Sequence, residues 1–286
     1  MKKFLIVILA IVFSSVLIGC ESEITELDKP IIAVSIVPQA AMVEAVAGDL
    51  VEIITIIPPG YSPGNYDPSA KTMAELSNAS IYFTIGVPAE DGNIIPDIEG
   101  IEIVCLEDIV NDTYADLTFS DGGRDSHIWL SISRVKIMVQ TIADELALLD
   151  PDNSNIYLSN ASEFIDLLTM ANSTIETIFS DVTMDTFIVF HPAFQYFSNE
   201  YGLDMITLEE AGKEATPQHL EDVIDLANEY NIEYVFYQSE IDSSQVESFA
   251  DEINATIVEL DPLSEDYINN LITMANLIRE ALRWVN

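Results

Sequence analysis

The sequence predicts an α/β protein of two lobes with central parallel-type sheets, joined by a long rigid helix. Three observations predict it. Short apolar, β-branched runs recur in both halves of the chain and, in the first half especially, alternate with helical patterns, which is the arrangement of βαβ units. A sustained helical apolar period fills the middle of the chain and reaches past what one lobe needs. The 286 residues, less an N-terminal leader, suit two units at roughly 100–200 residues per domain.

The leader comes first. Lys2 and Lys3 precede an unbroken run of small and apolar residues from Phe4 to Gly19, followed by Cys20, the layout of a secretory signal. The apolar run is shorter than a spanning helix requires, and LIGC at 17–20 resembles the lipobox of exported lipoproteins. Residues 1–19 are therefore read as a signal peptide, Cys20 as the lipid attachment site, and 20–30 as a lipidated tether; an uncleaved anchor is the alternative. Either reading places the folded part outside the cytoplasmic membrane, on the cell surface. Cys105 is the only other cysteine, so with Cys20 lipidated the chain has no internal disulfide and relies on a packed core.

The N-terminal lobe, 31–152, opens with IIAVSIV at 31–37, a run that reads as a strand buried on both faces. VEIITII (51–57), SIYFTIG (80–86) and IEIVCLE (101–107) follow, with helical stretches near 39–47 and 69–78. From Ile132 the apolar positions Val135, Val139, Ile142, Leu146 and Leu149 mark one face of a helix. Asp150-Pro151 breaks it. A second helical pattern runs through Tyr157, Ala161, Phe164, Leu168, Ile175 and Phe179; this linking helix, 153–181, would be roughly 40 Å long at 1.5 Å per residue. The C-terminal lobe, 182–286, resumes with strands at 186–191, 204–209, 233–238 and 256–261. Thr216-Pro217 supplies an N-cap and a first-turn proline, and a final helix runs from about Asp266 to Trp284.

Composition limits the partners. Ten Lys plus Arg stand against 49 Asp plus Glu, which excludes nucleic acid, because its binding relies on cations neutralising phosphates. The acids are dispersed, so they read as a solvated surface that keeps the protein soluble, adapted to salt where ionic strength is high.

The chemistry concentrates in three segments. PPGYSPGNYDPS (58–69) follows a strand, DSHIWLS (125–131) ends a Gly-rich loop, and FHPAFQYF (190–197) opens at a strand end. Ligands in open α/β sheets bind beyond the carboxyl ends of strands. Two of the three histidines, His127 and His191, sit in these segments; the third, His219, lies off the apolar face of its helix and reads as a surface residue.

With VSIVP, AGDLVEIITIIPPGYSP, DSHIWLS, FHPAFQYFSNEYGL, GKEATP and LDPL in this order, the chain from Ile31 onward resembles the metal-binding lipoproteins of zinc and manganese ABC importers. The resemblance implies two α/β lobes on a rigid helix with the metal in the cleft between them. It implies metal ligation by His127, although Ser126 stands where the family has proline, by His191, and by Asp261 of LDPL. The family's remaining histidine falls on Gly64, which offers no side chain. Water, Asn65, Tyr66 or Asp67 is left to fill that position.

What the resemblance implies is a monomeric, lipid-anchored receptor that hands a divalent transition metal to an ABC permease. Two imidazoles and a carboxylate suit zinc, with manganese or iron also admitted. A secreted zinc hydrolase using the open position is the alternative from another class, although the chain has no H-E-x-x-H. A relative diverged to another solute is the third.

Overall fold

The structure, a computed structural model, describes residues 29–240 and 243–282. The predicted signal peptide, Cys20 and nearly all of the tether lie outside the described residues. Among the described residues no helix is long and apolar enough to cross a membrane.

The first lobe runs β1 (Ile31–Val34), α1 (Val37–Ala47), β2 (Glu52–Thr55), α2 (Ala70–Leu76), β3 (Ile81–Thr84), β4 (Glu102–Cys105) and α3 (Leu106–Asn111). Its strands are all parallel, in the order β2-β1-β3-β4. The second lobe repeats the plan with β5 (Thr186–Val189), α6 (Gln195–Tyr201), β6 (Asp204–Thr207), α7 (Pro217–Glu229), β7 (Tyr234–Gln238), α8 (Ser243–Ile253) and β8 (Thr256–Leu260), ordered β6-β5-β7-β8. Between the lobes lie α4 (Ile132–Leu149) and α5 (Ser154–Phe179), and α9 (Tyr267–Leu282) closes the described chain.

The strands are shorter than the apolar runs that predict them, and the reason is burial. After β1 leaves the sheet, Ser35 and Ile36 stay buried in the turn into α1, and Ile56, Ile57 and Ile85 do the same beyond β2 and β3. Apolar sequence therefore continues where pairing has ended. Three helices, α3, α6 and α8, are absent from the sequence-based expectation; α3 and α6 are 6 and 7 residues long, too short for a periodic signal.

Helix α5 buries Tyr157, Ala161, Leu168, Ala171, Ile175 and Phe179 against α1, α4 and α9. Asp150 fixes the break before it by accepting from Asn153 Nδ2 at 2.7 Å and the Tyr157 hydroxyl at 2.9 Å. One apolar core runs from the first sheet through α4 and α5 to α6 and α9, while a smaller one lies under α7 and α8. The brace thus shares its core with both lobes.

A buried polar knot sits where β1 and β3 diverge, the switch point of the first sheet. Gln39 Oε1 accepts from Ser35 N and Ile36 N, and its amide donates to the carbonyls of Phe83 and Thr84. Glu90 accepts from Ile85 N at 2.9 Å, Gly86 N at 2.7 Å and Val87 N at 3.1 Å, as well as from Ser35 Oγ. Burial pushes its carboxyl up to about 8, with the Ser35 hydrogen bond opposing. A raised carboxyl contributes stability that is full below the unfolded value of 4.5 and is lost as pH rises through about 8. Glu90→Ala should cost about 2 kcal/mol in chemical denaturation, because backbone donors lose their acceptor. Glu90→Gln should flatten the stability profile over that pH window; an unchanged slope would show that the titration belongs to another group.

Candidate metal centre

The two sheets face each other with their carboxyl ends, and the loops that leave them enclose a cavity of about 290 Å³ between the lobes. His127 enters from the first lobe, at the turn that precedes α4, and His191 from the second, two residues beyond β5. Their rings lie 5.4 Å apart at an interplanar angle of 72°.

Each imidazole is held from behind. His127 Nδ1 lies 2.6 Å from Asp125 Oδ1, which also accepts the His127 backbone N–H at 2.9 Å, and Asp125 is fully buried. His191 Nδ1 lies 2.6 Å from Glu209 Oε2. A carboxylate facing Nδ1 fixes the tautomer with the proton there, leaving the lone pair on Nε2. Gly212 brings backbone against the other ring: a Cβ there would stand 3.3 Å from His191 Cε1.

Trp129 fastens the His127 turn to the second lobe. Its indole N–H donates to the Pro262 carbonyl at 2.8 Å, and its own carbonyl accepts from the Tyr267 hydroxyl at 2.5 Å. Tyr196 adds a bond from its hydroxyl to the Asp125 carbonyl. The placement of one histidine relative to the other is therefore set by buried hydrogen bonds across the lobes.

Asp261 follows β8, and the next two residues, Pro262 and Leu263, form part of the cavity wall. Its Oδ1 accepts from Leu263 N at 3.0 Å. Among the described residues no three His, Cys, Asp or Glu side chains stand close enough together to cage a metal ion, so the structure brings the two histidines together without Asp261 as a preformed third. Gly64 lies on the cavity wall. Its three neighbours do not: Asn65 and Asp67 are exposed, and Tyr66 packs on the core with its ring 5.2 Å from Tyr61.

His219 differs from its expected surface placement. It is half-buried, and its Nε2 meets the Thr207 carbonyl at 2.8 Å, because the Thr216 cap seats the first turn of α7 over the end of β6.

The model of the family described as "Zinc-uptake complex component A periplasmic", ZnuA, matches residues 32–281, spanning both sheets, the brace and every residue of the site. The chain belongs to this family. A solved ZnuA structure is 34% identical, covering 89% of this chain and 99% of its own, with a TM-score of 0.83. A ZnuA deletion mutant with zinc bound is 33% identical, covering 91% and 100%, with a TM-score of 0.84. The manganese-binding lipoprotein MntA of Halalkalibacterium halodurans is 25% identical over 85% of this chain and 84% of its own. Relatives in this ZnuA-type group of solute-binding proteins of metal ABC transporters thus carry either zinc or manganese.

Several groups at the site are not singled out by the sequence. Asp125 stands inside DSHIWLS, two residues before the histidine it holds. Glu209 is 18 residues from His191, yet β5 and β6 pair Val189 with Thr207, and the same offset carries His191 to Glu209. Sheet register was the signal. Gln238, the last residue of β7, and Glu240, in the turn beyond it, also line the cavity.

Proposed function

We propose that this ZnuA-family chain is an extracytoplasmic receptor, anchored by lipid on Cys20, that captures a divalent transition metal and delivers it as a monomer to an ABC import permease. Zinc is the first metal. The supporting observation is the pair of imidazoles from opposite lobes, each with Nδ1 against a carboxylate and Nε2 left free at a shared cavity. Neutral imidazole nitrogens of borderline softness favour zinc among abundant divalent ions, and Asp261, next to the wall residues Pro262 and Leu263, is the carboxylate read as joining them.

Because capture spans two lobes, release of the cargo by lobe opening has to break the hydrogen bonds that fasten the His127 turn to the second lobe. Protein purified without chelator should carry about one equivalent of metal by elemental analysis. Calorimetry at neutral pH should show zinc binding tighter than about 1 μM, or roughly −8 kcal/mol. Weaker binding would sink the receptor reading.

A further inference from the structure

The wall contributed by β7 holds two side chains whose polar atoms are unmet. Gln238 is the last residue of β7 and Glu240 stands in the turn that follows it, and both line the cavity. Gln238 is 7% exposed, and its Nε2 is buried without a hydrogen-bond partner. Glu240 Oε1 accepts from Ser239 Oγ, while Oε2 is buried and unpartnered. Buried polar atoms are nearly always satisfied in native proteins; two unmet ones lining the cavity that holds both histidines call for an occupant.

The neighbouring strand adds a second carboxylate. β7 and β8 pair Gln238 with Leu260, which sets Asp261 beside Ser239 and Glu240. Two carboxylates side by side, one with a buried and unpartnered oxygen, favour a divalent cation, which supplies the opposite charge where water is scarce.

We propose that Glu240 is a metal-facing carboxylate of this site, taking the coordination position that Gly64 leaves without a side chain. On metal binding the donors would be Nε2 of His127 and of His191 with carboxylate oxygens of Asp261 and Glu240, drawn in from an arrangement in which, among the described residues, no three of them yet cage an ion. Two charges balance those of the metal. The amide of Gln238 is the donor available to hold the second Glu240 oxygen. Trading an imidazole for a carboxylate hardens the set, and hard oxygen donors suit manganese; the site takes manganese as well as zinc.

This inference rests on the metal-receptor reading, and its test separates the two. Wild type, Glu240→Gln and Glu240→Ala are titrated with zinc and manganese against a fluorescent chelator, with thermal melts of the metal-free proteins alongside. Both variants should weaken manganese by about tenfold or more, since even the loss of a group that only orients a metal ligand costs that much, and zinc by less. Melting temperatures should hold or rise, since neutralising Glu240 relieves repulsion; a purely structural residue would lower them. Unchanged affinities in both variants overturn the proposal while the receptor reading stands. If the wild type binds neither metal, both are overturned.

Discussion

His127→Ala and His191→Ala should each weaken zinc binding by several hundredfold in a competition titration. Four-ligand zinc sites supply roughly 10–16 kcal/mol in all, so one ligand is worth about 3 kcal/mol, or two to three decades in Kd. The two variants should differ in stability. His191 has a partly exposed partner, Glu209, at 17% side-chain exposure, and its loss leaves a carboxylate that water can reach. Asp125 is fully buried, with Oδ2 already unpartnered, so His127→Ala strips it of a ring donor and leaves only the backbone N–H. His127→Ala should therefore melt lower than His191→Ala, with the difference read in the metal-free proteins. Equal zinc affinity in either variant and the wild type would remove that histidine from the site.

The same contrast shows what a sequence can carry. All eight strands among the described residues announce themselves as apolar, β-branched runs, most strongly β1, β3 and β5, which are buried almost throughout, and the brace announces itself through a period held over 26 residues. His127 and His191 stand out because imidazole is scarce here and both fall in motifs. What stays hidden is pairing across strands. Glu209 and Glu240 are two acids among 49 Asp and Glu, and nothing local separates them from solvated neighbours. Only the register of β5 on β6, and of β7 on β8, puts one behind His191 and the other beside Asp261. The misplacement of His219 has the same origin: a helical wheel gives its angle, whereas its contact with Thr207 depends on where α7 is seated.

Gly64→His should tighten zinc binding, and by how much depends on Glu240. The backbone allows the change, since Gly64 lies outside the left-handed region and an added Cβ would meet only Ser62 Oγ, at an ordinary 3.4 Å. The new ring grows from the cavity wall. If Glu240 holds the fourth position, the imidazole must displace it in the wild-type background, and the gain is small. In a Glu240→Gln background the position is open, and zinc affinity should rise by about a hundredfold, a single ligand's share of the binding energy. Two residues competing for one coordination position cannot act additively. A double-mutant cycle on zinc Kd measures that coupling directly, and a parallel cycle on manganese should show Gly64→His failing to restore what Glu240→Gln removes, because nitrogen replaces oxygen. Equal zinc gains in both backgrounds would place Glu240 elsewhere than at the position vacated by Gly64. No gain in either would mean that the loop after β2 holds its side chain away from the two histidines.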